Sequence, residues 1–373
     1  MGAVAFSVLL PWFAQRREER APLASESDRN RVRAAFAGLS DGDPHPIHNP
    51  EQFVWDDRCD VRPRANVSLE FSIGPIGGGK ARGYRVNHID HGVIRPEPFS
   101  SIRSGPRVLM LGDSHLYGVT DVSSNASVLL ERKIRRRADA DAAVINSACM
   151  YYSPYQYVLR SRSLWEEFEP DVVVAVYFAG NDFVELDDRN RPFISDALVE
   201  NPPDAAPPKE STSFRRLLFE QIAPKHYEDL FWQGMNQAIY LARRPDRREV
   251  LLAKAVKTVE LLQAEYEPVH TPLIVVIIPS YDDYMDYDLP ITGALADTIV
   301  REKVNRTLRR RLVDALGKKG VRVVDMHPVF QSARLPNIYA GDFHIWDAGH
   351  QLLANALIEP VIDALHRRAE ADE

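Results

Sequence analysis

The stretch RVLMLGDSHLYG (107–118) decides how this 373-residue chain folds. Its first half, Arg107–Leu111, is apolar at every position after the arginine, the pattern of a strand covered on both faces of a sheet. Its second half is a glycine-bearing turn, and a few residues further on SNASVLLERKI (124–134) has the periodicity of a helix. Four more β-branched runs share that character: AAVIN (142–146), DVVVAVYF (171–178), LIVVII (273–278) and VRVVDM (321–326). Helical patterns lie between them; over Val250–Leu262, for example, Leu252, Ala255, Val256, Val259 and Leu262 fall on one stripe. Strand–helix alternation of this kind predicts an open, doubly wound parallel sheet of five strands with helices on both faces.

Composition agrees with a globular protein. Hydrophobic residues make up 45% and charged residues 27%, and 26 Pro with 19 Gly are ordinary numbers, so disorder and fibrous repeats are excluded for the bulk of the chain. The net charge is −7, and the basic runs ERKIRRR (131–137) and RTLRRRL (306–312) read as solvated helix faces, so no nucleic-acid partner is expected. The only cysteines, Cys59 and Cys149, form no CxxC pair and no zinc spacing and read as plain buried thiols.

Outside the sheet pattern, residues 21–104 read as a small N-terminal β-rich appendage, with short strand patterns at VSLEFSI (67–73) and GYRVNHI (83–89). The main domain is expected over 105–373, with an insertion at 183–248 whose NPPDAAPPK (201–209) and many aromatics suit a lid or a self-burying cap. Residues 1–20 begin with an apolar leader. Its run to Ala14, broken by Pro11 and followed by QRREER, falls short of the roughly 20 residues that span a bilayer. An amphipathic leader, the tail of a signal-anchor that starts upstream, and a cleaved signal all fit it. Membrane association is expected only through residues 1–14, and the compartment follows from them.

Three patterns fail on context. GPIGGGKA (74–81) has the phosphate-loop spacing, but Ala81 replaces the magnesium-binding hydroxyl and no helix follows. GLSDG (38–42) has a helical pattern before Ser40 where a nucleophile elbow needs a strand. His45 with His48, and His88 with His91, are spaced i, i+3 in loops or strands, where that spacing does not share a face; they read as surface histidines. No metal and no cofactor are expected.

Ligands of a doubly wound sheet bind beyond the carboxyl ends of its strands. There the chain carries GDS (112–114) after the first strand, AGND (179–182) after the third and GDFHIWDAGH (341–350) after the fifth. Ser114 falls on a strand-to-helix turn, where free backbone N–H groups can stabilise an oxyanion. A serine needs a base to take its proton and a carboxylate to hold that base in one tautomer, and His344 and Asp342 are of those types.

These ordered blocks resemble the SGNH, or GDSL-type, serine hydrolase family. Gly112-Asp113-Ser114 is similar to its first block, Gly180-Asn181-Asp182 to its third, and Asp342 and His344 followed by Gly349-His350 to its last; the second is expected within Asn146–Ser153. The likeness runs from about residue 105 to 365. It implies a three-layer α/β/α, flavodoxin-like fold and an ester hydrolase that acylates Ser114, with His344 as general base and Asp342 as its orienting partner. It implies an oxyanion hole from the Ser114 N–H and the Asn181 side chain, with Ala148 and Tyr151 at the places where the family often has a glycine donor. Gly341 stands where the family's acid usually lies, three residues before the base, and Asp347 is the substitute for Asp342. The implied substrate is a small-molecule or glycan ester, an acetyl group leaving a carbohydrate hydroxyl being preferred. An O-acyltransferase acting on a glycan and a catalytically silent binding module are the alternatives.

Overall fold

The computed structural model describes residues 52–56, 59–74, 80–97, 105–139, 141–150, 152–186, 236–284, 301–333, 335, 337–340 and 343–370. The leader, the helical pattern at 28–39, most of the 183–248 insertion, and the glycine-rich motifs at 38–42 and 75–79 lie outside them.

The described chain opens with two antiparallel hairpins. β1 (Phe53–Asp56) pairs with β2 (Asp60–Pro63), and β3 (Val67–Ile73) pairs with β4 (Arg82–His88) in a register that sets Val67 against His88. β3 alternates half-buried and exposed residues, as a strand with one wet face must. The main sheet follows as β5 (Arg107–Gly112), β6 (Ala143–Asn146), β7 (Val172–Phe178), β8 (Leu273–Ile278) and β9 (Arg322–Asp325), all parallel, in the order β6-β5-β7-β8-β9. This is the expected doubly wound, flavodoxin-like order, and its reversal point falls between β5 and β7.

Helices cover both faces. α1 (Ser114–Tyr117) and α2 (Ala126–Arg137) follow β5, and α3 (Pro154–Phe168) follows β6. α4 (Asp182–Glu185), α5 (Asn236–Arg243) and α6 (Arg247–Tyr266) lie between β7 and β8. α7 (Tyr281–Tyr284) and α8 (Val304–Lys318) come before β9, then α9 (Met326–Ala333) and α10 (Asp347–Glu370). Alternate residues of one strand feed opposite cores: Val173, Ala175 and Tyr177 of β7 pack with α3, α6 and α8, while Val172, Val174 and Val176 pack with α2 and α10. Each fully buried valine contributes roughly 1.5–3 kcal/mol, which is why these strands tolerate no polar alternation. From the insertion, Phe183 and Tyr240 join the first of these cores.

Polar bonds tie the two hairpins to the sheet. Ile94 N–H donates to Asn146 O at the end of β6 (2.8 Å). Arg95, 2% exposed, makes a forked pair with Glu131 of α2 (2.6 and 3.2 Å). Glu131 Oε2 also accepts the Val144 N–H (2.8 Å). His88, expected at the surface, is instead 1% exposed. Its Nδ1 lies 3.1 Å from Arg64 O and its Nε2 2.7 Å from the Tyr117 hydroxyl, which also accepts from Gln52 Nε2 (3.0 Å). The partner that buries it lies in α1, beyond the reach of local pattern. Both cysteines are buried, and neither is in a disulfide among the described residues. Among the described residues no helix is long and apolar enough to cross a membrane, and no group of His, Cys, Asp and Glu could hold a metal ion.

Candidate active site

Ser114 sits at the first position of α1, half-buried, where β5 turns sharply. Gly112 is required there: a Cβ on it would fall 2.8 Å from Leu116 Cβ. Asp113 caps the helix, its Oδ1 accepting the His115 N–H (2.9 Å). The far end of this four-residue helix is closed by two buried asparagines. Asn125 Nδ2 donates to Leu116 O (3.0 Å) and Tyr117 O (3.1 Å), and Asn146 Nδ2 to Leu116 O (3.1 Å) and to Asn125 Oδ1 (3.1 Å). So short a helix cannot satisfy its own carbonyls, and these amides replace the missing turn.

His344 reaches Ser114 from the segment before α10. Here the chain folds back on itself, with Ala340 N–H donating to His344 O (2.8 Å) and Trp346 N–H to Ile338 O (2.7 Å). Phe343 adopts a left-handed φ of 63°, a strained conformation for a bulky residue, beside the histidine it aims. The result is a His344 Nε2 to Ser114 Oγ separation of 2.8 Å across 230 residues of sequence. That is the hydrogen-bond contact a serine nucleophile and its base require.

Solved structures of G-D-S-L lipolytic proteins and of esterases are similar to the chain. One, a member of the lipolytic protein G-D-S-L family from Veillonella parvula, is 13% identical, with 68% of this chain and 97% of that one covered and a TM-score of 0.40. Another, an acetylxylan esterase from Geobacillus stearothermophilus, is 16% identical, with 70% and 96% covered and a TM-score of 0.37. No protein-family model and no curated protein sequence matches the chain.

The other expected residues divide. Asn181 ends β7's turn and is half-buried; its Nδ2 donates one hydrogen to Glu185 Oε1 (3.0 Å), leaving the second for a ligand. The Ser114 N–H has no acceptor among the described residues. Ala148 does not fit the expected third donor, because its N–H is already given to Asn146 Oδ1 (3.0 Å). Asp342 and Tyr151 lie outside the described residues. Asp347 is engaged elsewhere, by the Thr120 hydroxyl and by Arg82 of β4 (2.6 Å).

Two further residues support the site: His115, which as the neighbour of Ser114 could have been expected to touch substrate, and one that sequence pattern did not single out. His115, 3% exposed, stacks on Phe178 with ring centroids 3.5 Å apart and lies 4.8 Å from the His344 ring. Its Nδ1 accepts the Ile345 N–H (3.3 Å), so it braces the segment that carries His344. Burial, and then the neighbouring His344 and His350, push its pKa well below the usual histidine value, which keeps that acceptor neutral. Glu185, one helical turn after Asn181, is the second; an acid in that position is the only sequence signal for its role. Asp113 and Asp182 are both buried carboxyls whose pKa values are raised, chiefly by burial, with Asp182 raised further by the Asp113 charge. The Tyr157 hydroxyl and the Phe178 N–H bind Asp182 (3.2 and 2.8 Å), which makes it a brace of the β7 turn. His350 is fully buried, with Nδ1 accepting the Ala126 N–H (3.2 Å), and holds α10 against α2.

Proposed function

We propose that this protein is an ester hydrolase of the SGNH type, working through an acyl-enzyme on Ser114. His344 Nε2 takes the Ser114 proton as Oγ attacks the ester carbonyl, and then gives that proton to the departing alcohol. A water molecule, deprotonated by the same nitrogen, attacks the acyl-enzyme, and His344 Nε2 then passes that proton to Ser114 Oγ as the C–Oγ bond breaks and the acid leaves. Asp342 orients His344. The Ser114 N–H and the Asn181 amide receive the oxyanion, with Glu185 holding that amide in place.

The observation that carries this proposal is the 2.8 Å contact of His344 Nε2 with Ser114 Oγ, made by a half-buried serine that substrate can reach. The preferred substrate is a small acyl group, acetyl, on the hydroxyl of a carbohydrate or another small ester. A fluorophosphonate probe with mass spectrometry tests the nucleophile directly. The intact protein is expected to gain one adduct, on Ser114, and to hydrolyse acetyl esters, while Ser114→Ala does neither. An unlabelled Ser114 in folded protein, or ester turnover unchanged in Ser114→Ala, overturns the proposal.

A further inference from the structure

A cavity of about 340 Å³ lies where the hairpins meet α3, with Arg62, Ala65, Asp90, His91 and Arg160 in its walls. None of these residues belongs to the Ser114 site. Arg160 is the unusual member, because it is 1% exposed yet forms no salt bridge among the described residues, the Asp56 carboxylate that pairs with Arg62 acting on it only from beyond contact. Its Nη2 donates to the His91 carbonyl (2.5 Å) of a left-handed His91 backbone (φ 59°), and its Nε has no hydrogen-bond partner among the described residues. Taking a guanidinium out of water and leaving its donors unfilled is costly, and buried arginines are ordinarily paired.

The second guanidinium is only partly used. Arg62 Nε pairs with Asp56 (2.9 Å) and Nη1 bonds Pro63 O (3.2 Å), which leaves Nη2 without a partner among the described residues. Two planar donor groups facing one cavity match the oxygens of a carboxylate or phosphate. Asp90 adds an acceptor to the same wall, and an acceptor there takes a hydroxyl group. A volume near the lower end for small-molecule sites, at a junction between two structural units, suits a compact ligand.

We propose that this cavity binds a small hydroxylated oxyanion, a sugar acid or a sugar phosphate, held by Arg62 and Arg160 at its charged group and by Asp90 at a hydroxyl. Binding there is independent of ester hydrolysis, so the test uses the full chain carrying Ser114→Ala. Isothermal titration is run with glucuronate, glucose 6-phosphate, inorganic phosphate and glucose. Saturable binding is expected for glucuronate or the sugar phosphate and none for glucose. Glucuronate alone assigns the carboxylate source, and glucose 6-phosphate alone the phosphate source. Arg62→Ala, at a partly exposed position, should weaken binding about tenfold or more, the loss expected for one charge-assisted hydrogen bond. Arg160→Gln should abolish it where that variant folds, and Asp90→Asn should weaken the sugar ligands more than inorganic phosphate. No saturable binding of either sugar ligand at millimolar concentration, or an affinity unchanged in folded Arg62→Ala, overturns the proposal.

Discussion

The His88 linkage yields a pH-dependent stability that can be worked out in advance. A backbone carbonyl only accepts, so the contact with Arg64 O makes Nδ1 the protonated nitrogen, and Nε2 must accept from the Tyr117 hydroxyl. Protonating Nε2 would break that bond in a dry place, and burial accordingly lowers the ring's pKa from 6.5 to about 4. The unfolded chain takes up this proton as pH falls through 6.5, whereas the native protein refuses it until near 4. Stability is therefore whole above the upper value and lost on the way down, by about 2 kcal/mol at roughly pH 5. His88→Gln removes the titration and should cost about 1–3 kcal/mol at roughly pH 7.5, the penalty of disturbing buried hydrogen bonds. By roughly pH 5 the gap between the two proteins should close by about 2 kcal/mol. Urea unfolding of both proteins across this range measures it. Asp113 and Asp182, whose raised pKa values make acid favour the native state, and His350, lowered to about 4, titrate in both proteins and cancel in the difference. Stability curves that stay parallel from pH 7.5 to about 5 would refute the linkage.

Further outcomes follow from the site. Asn181→Ala should lower kcat for ester hydrolysis by about 10²–10³, as for other oxyanion donors, with KM little changed. His115→Phe keeps an aromatic ring against Phe178 but leaves the Ile345 N–H without its acceptor; kcat should fall about tenfold at constant KM, and a fall in KM affinity alone would count against bracing. Gly180→Ala places a Cβ 2.4 Å from the Phe178 ring that carries His115, so steady-state kinetics should show reduced kcat in protein that remains folded by circular dichroism. Arg95→Met removes the forked partner of the buried Glu131, which keeps only Arg135 (3.1 Å), and should cost about 1–3 kcal/mol in denaturant unfolding, part of it recovered by adding Glu131→Leu.

What the sequence reveals and conceals has physical reasons. The five parallel strands are legible because burial on both faces leaves continuous apolar runs, and the strand-end rule then finds Ser114, Asn181 and His344. β3 and β4 show through their alternation, but β1 and β2, FVWD and DVRP, are four residues each and too short to display a period. His88 is misjudged because its partners are brought to it by folding. Ala148 is misjudged for a subtler reason: a backbone N–H is available whatever its side chain, but a side chain two residues earlier, Asn146, takes it first. His115 and Glu185 act through a backbone amide and a neighbouring side chain, and no composition or spacing announces such a contact.

The attachment of the hairpins bears on the order in which this chain acquires its structure during synthesis. Both hairpins leave the ribosome before the sheet, and each can pair locally. Yet the groups that bury His88, Arg95 and Ile94 are Tyr117, Glu131 and Asn146, all later in the chain. Until β6 has emerged, the Arg95 guanidinium and the Nε2 of His88 lack the described partners that bury them. The usual sequence, in which the N-terminal unit folds first and later ones dock on it, is reversed here. The helix that carries Ser114 is completed in the same step, because Asn146 closes α1 and anchors Ile94 at once.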